Sequence, residues 1–474
     1  MRSWNKGLSA VIGLTMAAQA MAQTAAPPAP RPDQTAFRDL YKELVETNTS
    51  ASVGDCTQAA AQITARLKKA GYPDADIYSF APKEYPKSGG IVVDYAGTDA
   101  SLKPVLLLAH LDVVEAKRED WVRDPFTLIE EGGYFYGRGA SDDKAQAAIW
   151  ADAMIRFRQE GYKPKRGIKM ALTCGEEGGS PFNGAEYLAL HEKAHIDAAF
   201  ALNEGRGGEL DDKGNKKFLV IEAGEKVYQD FQLEVTNPGG HSSQPVPENA
   251  IYRLAAALVK LSKTDTPVTM NDTTKTYFTK MAAIQGGEIG KAMLAIVKNP
   301  KDRSADAEIS KSKSWHAQLR TTCVATMSDA GHARNALPQR ARANINCRIF
   351  PGVPVAEVHK YLEAAIADPQ VSVTEVPPSP TISDAPPLTP AIMGPIEAVS
   401  KEMFPNVPIV PTLASWGTDG RFLNGVGIPT YGIDALFRDP DLSNIHGLNE
   451  RVRVQSLYDD RDFLYKLTKL YAGQ

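Results

Sequence analysis

Beyond its first 22 residues the chain has no apolar run approaching the roughly 18 residues needed to cross a membrane. Neither sign of charge is in excess. With 53 Lys and Arg against 57 Asp and Glu, the formal charge is −4, which leaves no basic surface for nucleic acid or an anionic membrane. Cysteine is scarce: Cys56, Cys174, Cys323 and Cys347 are too few for a disulfide framework and lack the paired spacing of a sulfur-ligated zinc site. Internal repeats are absent. What remains is 474 residues, 43% hydrophobic and 23% charged, enough for one large domain or two, with a small molecule or peptide as the open substrate class.

The N-terminus has its own grammar. Arg2 and Lys6 precede "LSAVIGLTMAAQAMA", with small residues at Ala20 and Ala22. Residues 1–22 therefore read as a secretory signal peptide and 23–34 as a Pro/Ala linker. An exported, periplasmic protein with no membrane attachment after cleavage is expected.

From 35 to 225 strand-like and helix-like segments alternate, and the alternation resumes over 379–474. This predicts an α/β sheet covered by helices. The intervening stretch, 226–378, instead reads βαββαβ, a ferredoxin-like module inserted into the α/β domain, with 264–316 as an excursion inside it.

Residues able to carry chemistry gather at the ends of the predicted strands. "LLLAH" closes on His110, with Asp112 two positions on and pointing to the same side of an extended chain. "GRGASDDK" places Asp142 after a glycine turn, where alone it reads equally as a helix cap. Glu176 and Glu177 follow another apolar strand, and surface placement would account for such a pair by itself. Glu204 ends a third strand and His446 precedes the last helix. In α/β sheets ligands bind at the carboxyl ends of strands. Taken together, two histidines and three carboxylates suit two divalent cations, zinc first, with a net positive site that polarises a carbonyl and acidifies water.

The motifs "HLD" (110–112), "GRGASDDK" (137–144), "GEEG" (175–178), "NEG" (203–205), "GGHSS" (239–243), "NALP" (335–338) and "HGLNE" (446–450) resemble those of the co-catalytic di-zinc exopeptidases. That family includes glutamate carboxypeptidase, succinyl-diaminopimelate desuccinylase, aminoacylase and carnosine dipeptidase. The resemblance implies an α/β catalytic domain with an inserted lid and dimerisation domain, and two zinc ions per subunit, with cobalt or manganese as substitutes. By motif, Asp142 bridges the ions, His110 and Glu204 complete one site, and Glu177 and His446 the other. Asp112 then accepts the free ring N–H of His110, and Glu176 is the general base. His241 is implied to reach the oxyanion in a partner subunit, hence a homodimer. Asn335, Arg348 and Gly417 match positions that hold or line the substrate. Ala145 and Gly175 depart from the common pattern without removing a ligand.

The reading is an exported metallopeptidase, a carboxypeptidase or dipeptidase for small peptides. An N-acyl amino acid amidohydrolase is the alternative, since both substrates present a carboxylate beside the amide. A non-catalytic binding protein or a two-metal phosphoesterase fits the motifs less well. Pairing the two lid strands symmetrically about Asn335 sets Cys323 opposite Cys347, which predicts a disulfide there and free thiols at Cys56 and Cys174.

Overall fold

The computed structural model describes residues 31–473 apart from 179, 180, 379 and 381. The expected signal peptide and most of the linker lie outside the described residues. Helix Pro32–Glu46 begins inside the expected linker. Proline is tolerated in a first helical turn, and Phe37, Leu40, Tyr41 and Leu44 bury one face of this helix. No described helix is long and apolar enough to cross a membrane.

A ten-stranded mixed sheet forms the larger layer. Strand Val105–His110 lies at its centre, parallel to both Ile168–Thr173 and Phe200–Asn203. It is an unbroken apolar run because both of its faces are covered. Val105, Leu107 and Ala109 enter the core beneath helix Lys144–Gln159, whereas Leu106 and Leu108 enter the core on the opposite face. That helix is buried at every residue from 144 to 154, and Trp150 donates its indole N–H to the carbonyl of Leu108 at 3.0 Å. Because the three strands are parallel, His110, Cys174 to Glu177 and Glu204 leave the sheet along one edge.

The smaller layer is an antiparallel sheet in the order Thr322–Ala330, Arg340–Ile349, Val227–Thr236 and Ser372–Glu375. With helices Ala250–Leu261 and Val355–Ile366 it gives the βαββαβ order expected of a ferredoxin-like module. Burial alternates strictly along Arg340–Ile349, as a sheet with one covered face requires.

The excursion folds as four helices between Asp272 and Leu319. Its apolar residues, Phe278, Met281, Met293 and Ile296, pack on Phe218, Val220 and Val410 of the larger sheet.

Cys323 and Cys347 are bonded across the register that pairs them. The expectation of free thiols at Cys56 and Cys174 is overturned, because these two are also bonded. They lie 118 positions apart, and only the docking of helix Cys56–Lys69 near the end of strand Ile168–Thr173 brings them together.

Candidate active site

Asp142 stands between the two histidines. Its Oδ1 is 3.2 Å from His110 Nε2 and its Oδ2 is 3.2 Å from His446 Nε2. Glu204 Oε2 lies 3.7 Å from His110 Nε2, and Glu177 Oε2 lies 2.8 Å from His446 Nε2. Donor atoms of His110, Asp142 and Glu177 fall within 4.8 Å of one another, as do those of His110, Glu176 and Glu204. The five residues expected to ligate metal and the expected base are thus brought to one place from five separate stretches of chain.

His110 closes its strand with its ring enclosed, so the imidazole has one orientation. Its Nδ1 lies 3.0 Å from the main-chain carbonyl of Asp112 and 3.6 Å from the Asp112 carboxylate, which is the farther of the two. The carboxylate also accepts the N–H of Glu176 at 3.3 Å and of Glu177 at 3.0 Å, and so aims the turn that carries both. Asp143, without an assigned role in the motif, accepts the main-chain N–H of His110 at 3.3 Å.

The electrostatics of this cluster suit a divalent cation. Burial pushes Glu176 well above the ordinary carboxylate range, with Glu204 adding repulsion. Burial likewise raises Glu204, and it lifts Glu177 to about 7 against the pull of His446. Hydrogen bonds to Asp142 and Glu177 raise His446 to about 10. His110 is raised by the carboxylates around it although burial opposes this. Glu204 Oε1 is buried with no hydrogen-bond partner among the described residues. Asp142 is the exception: although burial opposes it, hydrogen bonds to His110 and His446 hold it well below the ordinary carboxylate range. Three glutamates driven toward neutrality beside imidazoles driven cationic are the reverse of what metal ligation needs, and a divalent cation among them would restore ionised carboxylates and neutral rings. The donor set, two imidazole nitrogens and three carboxylates, therefore fits two such ions.

Two further acids went unassigned in the sequence although both sit in motifs it displays. Glu450, fully enclosed, accepts N–H groups from Gly139, Ser141 and Asp142 and a bond from Arg138. Asp419 accepts from Asn183 at 2.6 Å and from Thr173 at 2.9 Å. Their only signal was position, in "HGLNE" and in "SWGTDGRF".

The lid residues stand apart from this cluster. His241 is exposed on a two-residue strand paired with Ala336–Leu337, and its Nδ1 lies 2.7 Å from Ser243 Oγ. Asn335 is beside it, its carbonyl accepting the N–H of Ser242 at 3.1 Å. Arg348 is half-buried, its guanidinium 4.8 Å from the ring centre of Tyr228. At Gly417 a Cβ would come within 2.6 Å of Arg421 Nη1. Among the described residues, no hydrogen bond or ion pair joins His241, Asn335 or Arg348 to the five ligand-type residues.

A family model described as Peptidase family M20/M25/M40 matches residues 106–470. The N-fatty-acyl-amino acid synthase/hydrolase PM20D1 of Homo sapiens is 30% identical over 453 residues, 92% of this chain and 88% of that protein. Carboxypeptidase S of Saccharomyces cerevisiae is 30% identical over 286 residues, 57% of this chain and 49% of that one. In structure, the M20 family metallo-carboxypeptidase Sso-CP2 of Sulfolobus solfataricus superposes with a TM-score of 0.65 at 18% identity, covering 94% of this chain and 100% of that one. At that identity the superposition bears on the fold alone.

Proposed function

The chain belongs to peptidase family M20/M25/M40 and is a metal-dependent hydrolase, and from that premise we propose that it cleaves the amide bond of N-acyl amino acids. The observation that carries this reading is the likeness to an N-fatty-acyl-amino acid synthase/hydrolase over 92% of the chain. It reverses the order in which the sequence ranked the two substrate classes. Carboxypeptidase or dipeptidase action on small peptides is the second reading, favoured by the likeness to carboxypeptidase S.

In this reading His110 and Glu204 with Asp142 would hold one zinc, and Glu177 and His446 with Asp142 the other, with cobalt or manganese as substitutes. Two such ions supply Lewis acidity at the carbonyl and lower the pKa of water. Glu176, aimed through its main-chain N–H by Asp112, takes a proton from the attacking water and returns it to the leaving nitrogen. Glu177, whose oxygens would be given to a metal, would not share that task. Arg348 binds the substrate carboxylate through its planar fork, with Asn335 beside the same group and Gly417 lining the pocket. His241, exposed and unbonded to the cluster of its own chain, donates to the oxyanion in a second copy, which makes the enzyme a homodimer. An exported, periplasmic setting accords with disulfides at Cys56–Cys174 and Cys323–Cys347.

Purified, zinc-loaded protein assayed against N-acyl amino acids of increasing acyl length and dipeptides sharing their C-terminal residue tests this. A higher kcat/KM for the N-acyl series is expected, falling when the carboxylate is esterified. Preference for the dipeptides selects the second reading, and no hydrolysis of either rejects both.

A further inference from the structure

The turn carrying Glu176 and Glu177 is tethered from outside its own sheet. Strand Ile168–Thr173 ends one residue before Cys174, and Cys174 is bonded to Cys56, the first residue of helix Cys56–Lys69. That helix is fixed in turn: Cys56, Ala59, Ala60, Ile63 and Leu67 are buried, and Asp55 caps it through the N–H of Gln58. Both sulfurs lie within 4.8 Å of a carboxylate oxygen of Asp112, the carboxylate that receives the N–H groups of Glu176 and Glu177. Gly175 alone separates the disulfide from Glu176. It has φ +102°, and a Cβ there would lie 2.1 Å from the Phe182 carbonyl oxygen, so the backbone has little choice of path.

The other disulfide is differently placed. Cys323 and Cys347 face each other across strands whose register is already set by a ladder of hydrogen bonds. Among the described residues the 175–177 turn belongs to no ladder, and its two glutamate N–H groups are spent on Asp112.

We propose that the Cys56–Cys174 disulfide is a positioning element of the active site, tying the Glu176–Glu177 turn to the N-terminal helix and so setting where the base and a metal ligand stand. The inference rests on the roles given to Glu176 and Glu177 above.

The test compares two variants of the full chain, Cys56→Ala/Cys174→Ala and Cys323→Ala/Cys347→Ala. Each loses one cross-link, and both should melt at lower temperature. Only the first should lose about tenfold or more in zinc affinity, read by chelator competition, the range for losing a support of metal ligands. Its kcat should fall about tenfold or more with KM little changed, as for a misplaced catalytic group. The second should keep kcat and zinc affinity within twofold. If the first variant keeps both within twofold, or if the two variants lose them alike, the proposal falls.

Should the first variant fail to fold, the folded parent is reduced with a trialkylphosphine. The phosphine supplies two electrons and leaves as its oxide, taking its oxygen from one water, and the two protons of that water complete the thiols. Alkylation of a quenched aliquot maps which bond opened. A fall in kcat that tracks opening of Cys56–Cys174, reversed on reoxidation, supports the proposal, and full kcat with that bond open overturns it. A parent without hydrolase activity would reject the functional reading, while the zinc-affinity comparison would still test the tether.

Discussion

Glu450 Oε1 accepts the main-chain N–H of Asp142 at 3.1 Å across 308 residues of sequence. The same oxygen takes the N–H of Ser141 at 2.8 Å, and Oε2 takes those of Gly139 at 3.0 Å and Arg138 Nη1 at 2.6 Å. Glu450 stands four positions after His446. One buried carboxylate therefore anchors the loop of Asp142 to the loop of His446, two residues that share contacts in the candidate metal site.

Glu450→Ala leaves Arg138 without its buried carboxylate and three main-chain donors without their acceptor. Breaking a buried pair from one side costs about 3–5 kcal/mol. Urea unfolding should register a loss of that order. Zinc affinity should fall in the same variant, because both loops loosen together. Unchanged stability and zinc content would show that other contacts hold the two loops.

The placement of the site was legible where chemistry sits at the end of a recognisable element. His110 ends an apolar strand and Glu177 and Glu204 each follow one, and parallel strands bring such ends to one edge. Cys323–Cys347 was legible because a hairpin sets its register locally. Cys56–Cys174 was not, since no ladder relates a helix start to a strand end 118 residues away. The same reason hid Glu450, whose four donors all lie in a distant loop, and the helices between Asp272 and Leu319. Those helices carry apolar residues whose burial depends on Phe218 and Val220 of a strand far from them in sequence.

Glu176→Gln retains the side-chain volume and the main-chain bond to Asp112 while removing the proton acceptor. Elemental analysis should still find two ions per chain, and kcat should fall by roughly 10²-fold or more, the scale for loss of a general base. Asp142→Ala should do the opposite and lose metal, because its carboxylate touches both histidines. Near-normal turnover of Glu176→Gln under saturating zinc would remove Glu176 from its role.

Lys226 gives a pH signature independent of the metal site. It is buried at the junction between strands Lys216–Glu225 and Val227–Thr236, its Nζ 3.3 Å from Thr322 Oγ1, with no carboxylate paired to it among the described residues. Burial, and then Arg348 and Arg320, lower its pKa to about 7. Between that value and the ordinary lysine range the unfolded chain holds the proton and the folded chain does not, so stability rises with pH across this window. Lys226→Met should be more stable than the parent at pH 6, by an amount on the order of several kcal/mol at most. The difference should shrink as the pH approaches 10. Parallel stability profiles for the two proteins from pH 6 to 10 would contradict the assignment.

His241 belongs to the smaller sheet's hairpin region, whereas His110, Asp142, Glu177, Glu204 and His446 all belong to the larger layer. The ring of His241 is exposed and, among the described residues, hydrogen-bonded to Ser243 alone, and in the proposed dimer it serves the site of a second copy. His241→Ala should therefore lower kcat on the order of 10²-fold, as for removal of an oxyanion donor, with zinc content unchanged. Mixing His241→Ala with Glu176→Gln separates action across the dimer from action within one chain. After subunit exchange, a mixed dimer contains one site with an intact Glu176 that receives an intact His241 from its neighbour, so activity should return toward half of the parent value in those dimers. Within one chain, by contrast, every site in the mixture would lack one of the two groups. Subunit exchange verified by differently tagged copies, with no return of activity, would place His241 outside the reaction of a neighbouring subunit.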